Sequence, residues 1–286
     1  MTGEVEILKN AYVLAAISSA TFGVIGAFVV ARRIGYLTGA IAHCAFGGVG
    51  IGLWFSRAFA GVLGARASTL FESQFPEWTA LAFALVAALL VDWTRRRAKE
   101  REETLLGVIW AFGTAIGLLF IDRVPGYASA TTYLFGDVLL ATSADVGSAA
   151  VLGAVILSLV ALNFKKLEAV CFDEEFAELR GVNAAAQNRL LLVLTAAAVV
   201  MMTRVIGLAL VVAMLTLPAA TACRFTKRLS TTIVASIAAC FVATTLGLKI
   251  SYMLNFSSGP TIILVAATFY VVALVASSVA RRVASR

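Results

Sequence analysis

The chain has 286 residues, of which 61% are hydrophobic and 14% charged, with a formal net charge of +7 and a mean hydropathy of +0.95. Soluble domains are roughly half apolar and one quarter charged, so this composition excludes a soluble globular protein and indicates an integral membrane protein. The basic residues flank the apolar stretches and form no stripe interleaved with aromatic residues. They therefore predict a membrane topology and no nucleic-acid partner.

The apolar stretches predict an all-α fold, a polytopic transmembrane helical bundle of about nine spans that forms one domain over 1–286. A bilayer core of ~30 Å needs roughly 20 helical residues per crossing. The predicted spans are 11–31, 39–63, 78–91, 104–121 and 146–163, two short helices within 190–223, and then 231–248 and 260–280.

The stretch 190–223 is divided because it is too long for one crossing. At a rise of about 1.5 Å per residue, an unbroken helix here would reach roughly 50 Å. We therefore predict a turn near Thr203–Gly207, and we expect Pro218 to kink the second helix.

Polar segments connect the spans and predict the orientation of the chain. The segment 65–77 is predicted as a polar loop, Thr94–Glu103 as a cytoplasmic turn, and 122–145 as a mixed loop that dips into the membrane interface. The longest insert, Lys165–Arg189, is predicted to be cytoplasmic. With the N-terminus outside, the cytoplasmic segments hold 17 basic residues and the outer ones six, which favours an outer N-terminus and a cytoplasmic C-terminus.

Motifs for catalysis are missing from the sequence. No Gly-x-x-x-x-Gly-Lys-Ser/Thr segment is present, so any ATP-driven step requires a partner that binds the nucleotide. A chain with one histidine cannot carry the His-Glu-x-x-His zinc motif. We predict that the chain is not an enzyme and has no catalytic residue and no resident cofactor.

The single histidine, His43, lies in a predicted span and is the candidate metal contact. A titratable group within a span is a site hypothesis by default. The alternative is a hydrogen-bonded packing residue. Cys44 points about 100° away around the helix, so it cannot easily share a metal ion with His43 of the same chain. A symmetric dimer would bring two copies of His43 together. Small residues around it allow close helix packing: Gly39, Gly47, Gly48, Gly50 and Gly52.

The cytoplasmic insert contains a predicted short helix. Asp173 is a suitable N-cap, Glu174 and Glu175 complement the helix dipole in the first turn, and Gly181 is a suitable end. Such an amphipathic helix is a natural docking element for a partner. The alternative is an ordinary solvated loop helix.

Six stretches in this order resemble the permease subunits of zinc/manganese-type ABC importers. They are Phe28–His43 with the glycine-rich run behind it, Glu103–Gly107, Tyr133–Asp137, Asp173–Val182, Val205–Ala222 and Gly259–Leu264.

The resemblance implies a homodimeric permease in the cell inner (plasma) membrane, embedded in lipid, that imports a divalent transition-metal ion by alternating access. The metal ion, zinc or manganese first, is cargo, and His43 lies on its path. An extracytoplasmic solute-binding protein delivers it. A cytoplasmic ABC ATPase hydrolyses ATP and docks on the insert through Asp173, Glu174, Glu175, Phe176, Leu179 and Gly181.

One departure from the family pattern keeps other cargo open. The family has an acidic residue four positions before the histidine, where this chain has Gly39. The alternatives are an ABC permease for another ion or a metal chelate, a secondary carrier, and a membrane scaffold subunit. The spans lack the paired carboxylates that would couple a carrier to protons or sodium.

Overall fold

A computed structural model of the protein describes residues 2–60, 65–97, 102–124 and 130–284. Within these ranges every regular element is helical, as predicted. The helices are α1 (Thr2–Ala31), α2 (Gly35–Ala60), α3 (Ala65–Arg97), α4 (Glu102–Ile121), α5 (Ala130–Phe135), α6 (Ser143–Phe172), α7 (Glu174–Leu179), α8 (Ala184–Ile206), α9 (Leu208–Cys223), α10 (Leu229–Leu254) and α11 (Ser258–Ala284), with one 3-10 turn at Val138–Leu140.

Eight described helices are long and apolar enough to cross a membrane: α1, α2, α3, α4, α6, α8, α10 and α11. The remaining predicted span, the second of the two within 190–223, corresponds to α9, which is apolar but shorter. Helices suit this setting because a lipid core offers no partner for a free backbone N–H or C=O group. The polytopic helical bundle is therefore confirmed, and nine spans approximates its count.

The break between α8 and α9 lies where the sequence predicted a turn. Gly207 has φ 85°, a positive value that glycine adopts without a Cβ clash. Its N–H donates to the Thr203 carbonyl and closes α8. The helix α9 then continues through Pro218, which is buried.

Two predicted boundaries are wrong. Residues 65–77 form the first part of α3 and not a loop, because polarity alone does not end a helix and α3 stays helical through Pro76. The helix α6 continues beyond the predicted end at 163 and reaches Phe172, so the insert begins as a helical extension. The predicted turn at Thr94–Glu103 lies partly outside the described residues, since 98–101 are not among them.

The second half of the mixed loop 122–145 packs on protein. Gly136, which has φ 59°, lies against the backbone of Ile206 and Gly207 at the α8–α9 break. The Ser258 hydroxyl donates to the Asp137 carboxylate over 2.7 Å and accepts from the N–H of Val138 over 2.8 Å. The segment thus joins the α8–α9 break to the start of α11. Its dip into the membrane interface stays a prediction.

The helix α2 lies deepest in the bundle. In its span, 83% of the residues are buried, against 22% in α4. It packs most extensively against α3 and α4. Glycines allow this approach: a Cβ on Gly48 would lie 2.6 Å from the Thr79 carbonyl oxygen of α3, and one on Gly47 would lie 2.8 Å from that of Gly113 in α4. The packing positions the only histidine of the chain.

Candidate functional site

His43 lies in the interior of the bundle, eight residues after the start of α2 and therefore about 12 Å along it. Its neighbours Ala42 and Cys44 are buried, whereas the imidazole is only partly buried and faces α4. A tightly packed helix thus carries the candidate metal contact, and its imidazole ring is not fully enclosed.

Two side chains of α4 hold the imidazole. The Nδ1 atom of His43 lies 2.7 Å from the Thr114 hydroxyl, and that hydroxyl donates to the Trp110 carbonyl over 2.8 Å. The Trp110 indole stacks on the imidazole, with 4.3 Å between ring centroids and 23° between planes. Sequence reasoning missed both residues. Because they are four residues apart, they lie on one face of α4. The sequence gives no sign that this face contacts His43.

Gly39 makes room for the indole. A Cβ built on Gly39 would lie 2.6 Å from Cζ3 of Trp110. An acidic side chain at position 39 therefore does not fit unless the Trp110 ring shifts. The glycine that replaces the family's acidic residue therefore allows the stacking of Trp110 on His43, because the indole fills the space beside Gly39.

The described part of this chain does not supply a full set of metal ligands around His43. In the described ranges, no three His, Cys, Asp or Glu side chains are close enough to share a metal ion. Cys44 is buried, and its backbone backs onto Gly113 of α4. Structural zinc sites use four ligands, so the described side chains do not form such a site around His43.

The predicted docking helix is present as α7. Asp173 caps it by accepting a hydrogen bond from the Phe176 N–H over 3.0 Å, and Gly181 follows it with φ 79°. Ala177 is fully buried against the bundle, while Phe176 and Leu179 are 52% and 87% exposed. The helix therefore rests on the protein by one side and presents apolar and acidic groups on the other. The acidic residues Glu174 and Glu175 are also exposed.

An ion pair fastens α7 to the turn that precedes α2. The Arg32 guanidinium pairs with Glu174 and also donates to the Val170 carbonyl over 2.5 Å. The same Glu174 oxygen accepts from the Asn188 amide over 3.0 Å. Arg32 lies in the short connection between α1 and α2. The ion pair therefore links α7 to the N-terminal end of α2, the helix that carries His43.

A second ion pair closes this end of the bundle. Arg189 Nε lies 3.2 Å from the carboxylate of Asp92, which is buried. This contact joins the end of α3 to the start of α8. A cavity of ≈ 440 Å³ lies between the two ion pairs, lined by Arg32, Asp92, Glu174, Glu178 and Asn188 among others. The predicted coupling residues thus share one end of the bundle, and His43 lies on a separate element.

Comparison with known proteins identifies the family. The model of the ABC 3 transport family matches residues 4–277. The chain belongs to the ABC 3 transport family. It is a multi-pass membrane protein of the ABC permease type, as the resemblance of the six sequence stretches predicted.

Relatives match over almost the full length. The chain is 34% identical to a probable metal transport system membrane protein of Chlamydia pneumoniae, over 94% of this chain and 88% of the relative. It is 29% identical to the manganese transport system membrane protein MntC of Listeria monocytogenes, over 94% and 90%. It superposes on PsaBC from Streptococcus pneumoniae in complex with Fab with a TM-score of 0.79 and 28% identity, over 93% and 90%.

Proposed function

We propose that this protein is the membrane permease subunit of an ATP-driven importer for a divalent transition-metal ion, manganese or zinc. The observation that carries the proposal is the likeness, over almost the full length, to membrane proteins of metal and manganese transport systems. The position of His43 on the most buried span supports it, because an imidazole is a metal ligand, one better suited to zinc than to manganese.

The importer includes other subunits. A cytoplasmic ABC ATPase binds the exposed side of α7 through Phe176 and Leu179, and an extracytoplasmic solute-binding protein delivers the ion. The permease acts as a homodimer in the lipid of the plasma membrane. The apolar surface of α4 supports this, because 78% of its span is not fully buried and needs lipid or a second copy to cover it.

Transport proceeds by alternating access. When ATP closes the ATPase pair, α7 moves with it, and the pair between Glu174 and Arg32 transmits the movement to the start of α2. The path around His43 then opens to the other side. Weak contact with the ion serves this purpose, since a tightly held ion would not leave.

The proposal is tested with the permease, its ATPase and its binding protein reconstituted in liposomes. Zinc, manganese, iron and cobalt ions are compared for stimulation of ATP hydrolysis and for uptake. We expect manganese or zinc to stimulate most. His43→Ala should reduce ion uptake about tenfold, which corresponds to ~1.4 kcal/mol in the transport step.

The control variant is Thr268→Val, on the exposed side of α11, which should transport normally. Uptake that persists without the ATPase would instead support a secondary carrier. Stimulation of ATP hydrolysis by a metal chelate, but by none of the free ions, would favour the chelate as cargo. This arm is included because position 39 is a glycine and lacks the family's carboxylate. Wild-type uptake by His43→Ala would show that His43 does not contact the ion and is a packing residue.

A further inference from the structure

One turn of α4 forms a short chain of hydrogen bonds that ends on His43. The Trp110 carbonyl oxygen can only accept, so the single hydroxyl proton of Thr114 is used in the 2.8 Å bond to it. Toward His43, the Thr114 oxygen can then only accept. The 2.7 Å contact with Nδ1 therefore forms together with the other bond only when Nδ1 carries a proton.

We infer that Thr114 is a positioning residue, which holds neutral His43 in the Nδ1–H tautomer and thereby presents the Nε2 lone pair to the transported ion. The inference rests on the proposed function, in which His43 lies on the metal path. A neutral imidazole has one donor and one acceptor nitrogen, and the bond made by the first decides which form is present.

The Nε2 atom is available for this role. In the described part of the chain it makes no hydrogen bond, while Nδ1 is engaged by Thr114. The stacked Trp110 indole lies along the ring face and resists rotation of the imidazole, which would replace Nδ1 by Cδ2 at the Thr114 hydroxyl. Gly39 contributes indirectly because it leaves the space that the indole occupies.

The ligand class follows from the donor. A neutral imidazole nitrogen binds borderline divalent ions such as zinc and cobalt, and outer partners of this kind orient the ring and raise its basicity. Two protomers would offer two such nitrogens, and water would complete the coordination. The arrangement suits brief binding of a partly hydrated ion.

The chain contains one histidine, so a spectrum of the ¹⁵N-histidine-labelled, full-length protein without a histidine tag reports on His43 alone. In lipid nanodiscs we expect a protonated Nδ1 and an unprotonated Nε2. Thr114→Ser should keep this pattern because it keeps the hydroxyl. Thr114→Val should shift part of the population to the Nε2–H form.

Thr268→Val is the matched control, since its hydroxyl donates to the Leu264 carbonyl over 2.8 Å in the same manner on the exposed side of α11. It should leave the imidazole spectrum unchanged. Size-exclusion chromatography and thermal unfolding verify that each variant is folded. A wild-type spectrum with a protonated Nε2, or an identical tautomer ratio in Thr114→Val, would overturn the inference.

Addition of Zn²⁺ tests the second half of the inference. The Nε2 resonance should move on titration, and the apparent affinity should fall about tenfold or more in Thr114→Val and recover in Thr114→Ser. An Nε2 resonance that neither Zn²⁺ nor Co²⁺ moves would also overturn the inference. That failure is distinct from failure of the importer proposal, which is judged by metal-stimulated ATP hydrolysis and uptake.

Discussion

Leu179 is the most exposed large apolar residue in the part of the protein that the structure describes. It is 87% exposed and lies at the end of α7. The opposite side of this helix packs against the protein through Ala177, which is fully buried. Water-exposed apolar groups of this size are stabilised when a partner covers them. The arrangement favours docking over the alternative of an ordinary loop helix.

Leu179→Ala is expected to weaken binding of the ATPase subunit. Removing the buried part of one leucine side chain costs about 2 kcal/mol, which corresponds to roughly thirtyfold in affinity. Co-purification of the ATPase at graded concentrations measures the effect. Leu162→Ala is the control, because Leu162 is 81% exposed but lies within the apolar span of α6. Equal ATPase binding by both variants would contradict docking at this residue.

The contact between α2 and α4 depends on glycines at the crossing. A Cβ on Gly113 would lie 2.5 Å from the His43 carbonyl oxygen and 2.6 Å from Cα of Cys44. Both are backbone atoms, which do not move aside as a side chain does. The two helices are therefore close enough for Thr114 to reach His43.

Gly113→Ala should separate α4 from α2 and destabilise the protein by about 1–3 kcal/mol, as overpacking does in a filled core. Thermal unfolding in detergent measures the loss. Gly107→Ala is the matched control on the same helix, since a Cβ there meets nothing within 4 Å. We expect no loss for Gly107→Ala. Equal unfolding temperatures would show that the helices separate without cost.

The ion pairs arrange the predicted cytoplasmic segments at one end of the whole molecule. Arg32 with Glu174 and Arg189 with Asp92 bring together the ends of α1, α3 and α6 and the start of α8. The sequence predicted the same side for 32–33 and 165–189 from the surplus of basic residues. Which end faces the cytoplasm stays a prediction, as does the treatment of 1–286 as one domain.

A protease site appended to the N-terminus should be cut in intact cells, whereas one appended to the C-terminus should be cut only after lysis. The reason is the bias of 17 basic residues to six, which favours a cytoplasmic C-terminus. Immunoblots of cells treated with the protease read out both sites. Cleavage of the C-terminal site in intact cells would reverse the orientation and remove α7 from the reach of an ATPase.

Local sequence patterns predicted the presence of the helices better than the residues at which the helices begin and end. The break at Gly207 and the cap at Asp173 were predicted because each depends on a few neighbouring residues. The start of α3 was predicted wrongly, since a polar segment such as 65–77 can continue a helix beyond the lipid. At the candidate site, the sequence pointed to His43 as the one histidine, and its metal role stays a prediction. Its neighbours Trp110 and Thr114 were missed.

By itself, the sequence determined that this protein is a helical membrane bundle with a short capped helix after α6, because the length of apolar runs and local capping are properties of adjacent residues. Only the tertiary structure decided which side chains surround His43. Thr114 is 71 positions away, and its contact arises from the close crossing of α2 and α4. A helix pattern defines a face, whereas the partner of that face is chosen by how the whole bundle packs.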